Sequence, residues 1–111
     1  MAIEDTTAVM VGVRLVDEVF AALDAVSAAR TPFERGLLGA YRWAVGAQVG
    51  APVTANAAVG AYGPCRAQLL AECQAAQVHI RQGTGPAGET ERALGVYMAL
   101  AWLCGHHDDL P

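Results

Sequence analysis

ALGVYMALAWLC, residues 93–104, decides how this chain folds. After Glu91 and Arg92 the stretch carries no charge, and Ala93, Gly95, Ala99 and Ala101 are interspersed among Leu94, Val96, Tyr97, Met98, Leu100, Trp102 and Leu103. Alanine and leucine favour helix because they lose little side-chain entropy there. A helix that is apolar all round is covered all round. The stretch falls short of the roughly 18–20 apolar residues that span a bilayer, so the cover has to be protein. The reading is a helix over 89–105 at the centre of a small bundle, sealed by its neighbours or by a second copy of the chain.

Working outward, three more helices are expected, over 7–29, 32–49 and 65–82. In the first, Val9, Val13, Val16, Phe20 and Leu23 recur at helical spacing, with Leu15, Val19 and Val26 beside them. Thr6 or Thr7 would cap it, and Arg14, Asp17, Glu18 and Asp24 take the opposite arc. Its β-branched opening, AVMVGV, also suits a strand, but the helical phase runs on past it. The second helix has the strongest start signal: Thr31 as N-cap, Pro32 in the first turn and Glu34 placed to complete a capping box. Phe33, Leu37, Tyr41, Ala44 and Val45 form its core stripe. Gly36, Gly39 and Gly46 each lower helix stability by about 1 kcal/mol relative to alanine. A helix that keeps them is expected to pack closely on another backbone through Gly36, Ala40 and Ala47. The third helix buries Leu69, Cys73, Ala76 and Ile80. Residues 50–64 read as a loop with a short helical turn near 55–59, and 83–88, GTGPAG, as a connector without phosphate-loop spacing. ERGLLGAYRWAVG (34–46) and ERALGVYMALAWLCG (91–105) echo each other, as a repeated helical hairpin or convergent helix chemistry would.

The whole chain, 1–111, is read as one all-α domain of about four helices, paired as a dimer. Eleven acids against seven bases give a net charge of −4, which disfavours nucleic acid as a partner. The charge is uneven: acidic before Arg30, basic from Arg30 to Arg66, acidic thereafter. Every basic residue is arginine, which points to a GC-rich bacterial or phage genome. Three cysteines make no disulfide framework, and the acidic start MAIEDTT is unlike a secretory signal. A cytoplasmic protein without a membrane segment is expected.

Candidate sites are few. LCGHHDDLP (103–111) gathers metal donors in Cys104, His106, His107 and Asp108 beside Asp109, but contiguous residues rarely converge on one ion. Gly105 reads more simply as a helix stop, and the histidines complement the helix dipole. His79 shares a polar flank with Gln68 and Glu72, two turns from Glu72 and out of its reach. Cys73 sits on a buried stripe as a small hydrophobe, Cys104 is nearer to histidines but ends an apolar helix, and no Ser–His–Asp set stands out. Arg35 and Arg42 share one helix face, which with Trp43 and Trp102 makes a candidate partner-binding surface. No catalytic residue and no cofactor is expected. The functional expectation is a regulatory or accessory protein–protein interaction module, an adaptor or inhibitor, binding itself and another protein. The alternatives are a metal-binding or enzymatic protein using the C-terminal cluster, and a DNA-binding regulator using the arginine edge.

Overall fold

The computed structural model describes residues 10–55, 63–83 and 85–111. Two short strands, β1 (Met10–Val11) and β2 (Arg14–Leu15), precede four helices: α1 (Val16–Ala25), α2 (Pro32–Ala44), α3 (Arg66–Gln82) and α4 (Glu89–Leu103). The fold is compact and mostly helical, as the apolar periodicity requires. In α4, Ala93, Gly95, Val96 and everything from Ala99 to Leu103 are buried. Beyond the polar first turn, 89–92, only a strip of Leu94, Tyr97 and Met98 reaches water, Leu94 being 41% exposed.

Two helices cross at glycines. A Cβ added at Gly36 would collide with the Arg92 carbonyl oxygen, and one added at Gly95 would collide with that of Phe33. Each glycine of the pair therefore receives the backbone of the opposite helix, so α2 and α4 approach more closely than any larger residue allows. Ala40 and Ala99 lie fully buried one turn further on. The echo between the two segments is thus seen in space. Gly36, Ala40, Trp43 and Gly46 recur at one constant spacing as Gly95, Ala99, Trp102 and Gly105, while the opening Glu-Arg pairs fall out of that register.

The two helices also end alike. Gly46 (φ +79°) and Gly105 (φ +80°) take the left-handed conformation. Gly46 N–H donates to the Trp43 carbonyl at 3.1 Å and Ala47 N–H to that of Arg42 at 2.8 Å. Gly105 N–H donates to Trp102 at 3.1 Å and His106 N–H to Ala101 at 2.8 Å. This is the two-bond closure of a Schellman cap. At the other end of α2, Thr31 accepts from Glu34 N–H at 3.1 Å, and the Glu34 carboxylate accepts from Thr31 N–H at 3.2 Å. The capping box forms as its spacing predicts, and the backbone N–H groups of Arg30 and Thr31, both donating to the Glu34 carboxylate, hold its carboxyl below the ordinary range.

The expected first helix is corrected. Helix starts at Val16, not at residue 7, and the preceding apolar run is a hairpin pairing Met10 with Leu15 and Val11 with Arg14. Gly12 (φ +64°) opens its two-residue turn, a position that glycine adopts without strain. Glu18 then reaches back to accept the Leu15 N–H at 2.9 Å, which places the helix start. The stripe shifts accordingly: Val19 and Ala22 are buried, whereas Val13 and Phe20 are 38% and 48% exposed. Thr6, Thr7 and Val9 lie outside the described residues. The second helix stops at Ala44 rather than at 49 because Gly46 caps it. The helical turn expected near 55–59 falls mostly outside the described residues, but Ala55 N–H does close a turn onto the Ala51 carbonyl at 2.9 Å.

Candidate functional site

The C-terminal stretch is held by the hairpin. The last carbonyls of an α-helix have no partner within the helix, and here each of those from Ala101 to Leu103 finds one outside. Val13 N–H donates to the Leu103 carbonyl at 2.8 Å, and Arg14 Nε to the Trp102 carbonyl at 2.9 Å. The same guanidinium lies 4.7 Å from the centre of the Trp102 ring and donates through Nη2 to the His107 carbonyl at 2.7 Å. A Cβ at Gly12 would strike the Leu103 carbonyl, so only glycine lets the hairpin dock there. Asp108 is almost fully exposed and 3.9 Å from Arg14, and His107 Nδ1 lies 3.1 Å from the Asp109 carbonyl oxygen. His106 is exposed and Cys104 half-buried. Among the described residues no group of three His, Cys, Asp or Glu side chains is arranged to hold a metal ion. The donors Cys104, His106, His107 and Asp108 are neighbours in sequence without being gathered in space.

A second polar centre lies where the sequence reading placed only a solvated flank. Glu72 is 2% exposed, the one buried charged residue among those described. Its carboxylate accepts hydrogen bonds from Val53 N–H, from Thr54 N–H at 3.0 Å and from the Thr54 hydroxyl at 2.7 Å. From the other side, Arg92 Nη1 donates to the Pro52 carbonyl at 3.0 Å. Residues 52–54 are therefore fixed by a carboxylate on α3 and a guanidinium on α4. Beside Glu72 is a cavity of about 70 Å³ lined by Trp43, Thr54, Gln68 and Ala71. That is room for a few water molecules. The buried Trp43 Nε1 has no hydrogen-bond partner.

His79 joins Glu89 rather than Glu72, with Nε2 and Oε2 3.7 Å apart. Glu89 also accepts from Arg92 Nε at 3.0 Å, and this hydrogen bond is the main reason its carboxyl stays below the ordinary range. Two of the three thiols, Cys73 and Cys104, are wholly or partly covered by their surroundings. Burial pushes Cys73 up to about 11, and burial also raises Cys104; a protonated thiol is a poor nucleophile.

The proposed partner surface divides. Arg35 and Arg42 are exposed on one face of α2. Trp43 and Trp102 are 1% and 4% exposed and belong to the core, where Tyr41 meets Trp102 edge-on at 6.2 Å between ring centres. Packing of α2 on α4 at the glycine crossing turns both indoles inward. The sequence reading missed Glu72 and Arg14. Glu72 could have been found from its phase, since it sits between Leu69 and Ala76 on the buried side of α3. Arg14 had no such signal, because its partners are backbone carbonyls distant in the chain.

One further surface has a shape of its own. A groove of about 280 Å³ between α3 and α4 is lined by Gln77, Ile80, Arg81, Leu94 and Tyr97. No known protein family, no curated protein and no solved structure matches the chain.

Proposed function

We propose that the chain is a cytoplasmic protein–protein interaction module with a regulatory or accessory role, an adaptor or inhibitor that pairs with itself and receives a protein partner. One observation carries this reading. Arg35 and Arg42 on α2, and Asp17, Glu18 and Asp24 on α1, all stand exposed. Neither set takes part in any of the three ion pairs among the described residues. Adjacent helices of opposite charge that do not neutralise each other leave both faces open to charged surfaces from outside. Such faces steer association and select partners more than they add affinity. The partner suited to Arg35 and Arg42 is an acidic protein surface.

The test is the double substitution Arg35→Glu/Arg42→Glu, with binding of a co-purifying partner measured by calorimetry. The double variant is expected to keep its helical content and lose about tenfold or more in affinity. Unchanged affinity would overturn the arginine edge as the contact. The same exposed arginines support a second reading, a DNA-binding regulator. A salt-sensitive gel shift with generic duplex, abolished in the double variant, would favour it.

A further inference from the structure

The α1 helix is poorly buried for an amphipathic element. Of its residues only Val19 and Ala22 are fully covered. Phe20, 48% exposed, stands at the surface with Asp17 three residues before it and Asp24 four after, so that all three lie on one side of the helix. No base occurs anywhere in α1. The face is therefore an aromatic knob set between carboxylates.

The groove between α3 and α4 has the reverse character. Ile80, Leu94 and Tyr97 give it an apolar floor, and Arg81 supplies a cation at its edge. None of the lining residues is acidic. Arg81 is exposed and takes part in none of the ion pairs among the described residues. Leu94, 41% exposed on a mostly buried helix, is one of the large apolar side chains that a single copy leaves at the surface.

We propose that the α3–α4 groove receives α1 of a second copy of this chain, with Phe20 seated against Ile80, Leu94 and Tyr97 and Asp17 or Asp24 paired with Arg81. The proposal rests on the self-pairing included in the function above and gives it an interface. Apolar and charge complementarity single out this occupant. The donor face and the acceptor groove are apolar at the centre, carry opposite charge at the edge, and are both unneutralised in one copy. A ten-residue helix alone covers little surface, whereas a stable interface buries about 1,200 Å² or more in total. The exchange is therefore reciprocal: each copy gives its α1 and accepts the other's, the self-complementary arrangement of a two-fold dimer. Because charged edges contribute, the pair weakens as salt rises.

The experiment is sedimentation velocity on the full chain at about 100 μM, at low and at high salt, with circular dichroism to confirm that every variant is folded. Wild type is expected to be a dimer that dissociates further in salt. Asp17→Arg/Asp24→Arg and Arg81→Glu are each expected to weaken dimerisation about tenfold or more. A mixture of the two variants is expected to pair, because one groove of a mixed dimer then matches the reversed helix, and a merely damaged fold would not be rescued in this way. Phe20→Ala is expected to weaken pairing at all salt concentrations. A wild-type dimer indifferent to these substitutions overturns the interface and leaves self-pairing standing. A wild-type monomer at low salt overturns both, including the case where the groove binds an acidic helical peptide instead.

Discussion

The ends of α2 and α4 are built from the same four residues and have different fates. Trp43 and Trp102 precede Gly46 and Gly105 by the same interval, and both glycines close their helices with the same pair of hydrogen bonds. At α4 the β-hairpin adds an outer layer: Arg14 covers the Trp102 ring and binds its carbonyl, and Val13 takes that of Leu103. At α2 the indole instead lines a small polar cavity beside Glu72, with its N–H unpartnered. One local motif thus serves two buried ends with different surroundings, and what distinguishes them is a guanidinium in one place and a buried carboxylate in the other. Local sequence specifies the cap; the element docked on it specifies its surroundings.

The largest effect is expected at what the two helices share. Gly36→Ala and Gly95→Ala each push a methyl into opposing backbone, and each is expected to lower stability by about 3 kcal/mol, measured by urea denaturation. Similar losses support the equivalence of the two helices; a harmless substitution at either site breaks it. Next come the features that differ. Glu72→Ala strips the acceptor from two backbone N–H groups at residues 53 and 54, with an expected loss of about 2–3 kcal/mol. Arg14→Ala, at a partly buried site, is expected to lose about 1–2 kcal/mol. Hydrogen exchange should then show faster exchange at Val13 after the arginine change, with the amides of 53 and 54 affected only by the Glu72 change.

A pH titration tests the seam between the two ends. Burial raises Tyr41 from 10 to about 12, and raises Cys73 from 9 to about 11, where Cys104 adds to the shift. In both windows the unfolded chain has lost a proton that the folded chain keeps. Their contribution to stability is therefore full below about pH 9 and is lost as pH rises through 9 to 12. Tyr41→Phe is expected to flatten the upper part of that decline in thermal melts. The smallest effect is at the α2 start, away from both ends: Thr31→Ala is expected to lower stability by about 1 kcal/mol by removing the cap.

Several features were legible in the residues. The α2 start followed from Thr31, Pro32 and Glu34, because a capping box joins neighbours in sequence. Gly36 announced a close backbone approach, because nothing else favours glycine inside a helix. Gly105 was legible as a helix stop, because glycine adopts the left-handed cap without strain. The failures have a common cause. The run from Val9 to Val16 keeps a helical phase through Gly12, and period alone does not reveal that Gly12 must turn so that Val13 and Arg14 meet α4. Trp43 and Trp102 looked available to a partner because a helix face does not disclose which neighbour covers it.

By itself, the sequence determined that the chain is mostly helical, where α2 starts and α4 stops, and the closeness of one crossing, all of which depend on groups a few positions apart. Only the tertiary structure decided that Arg14 fastens the far end of the chain, that Glu72 is interior, and that Phe20 and Leu94 are left on the outside. Those outcomes depend on which backbone carbonyls, amides and apolar faces meet across long separations, and no local pattern of side chains encodes such meetings.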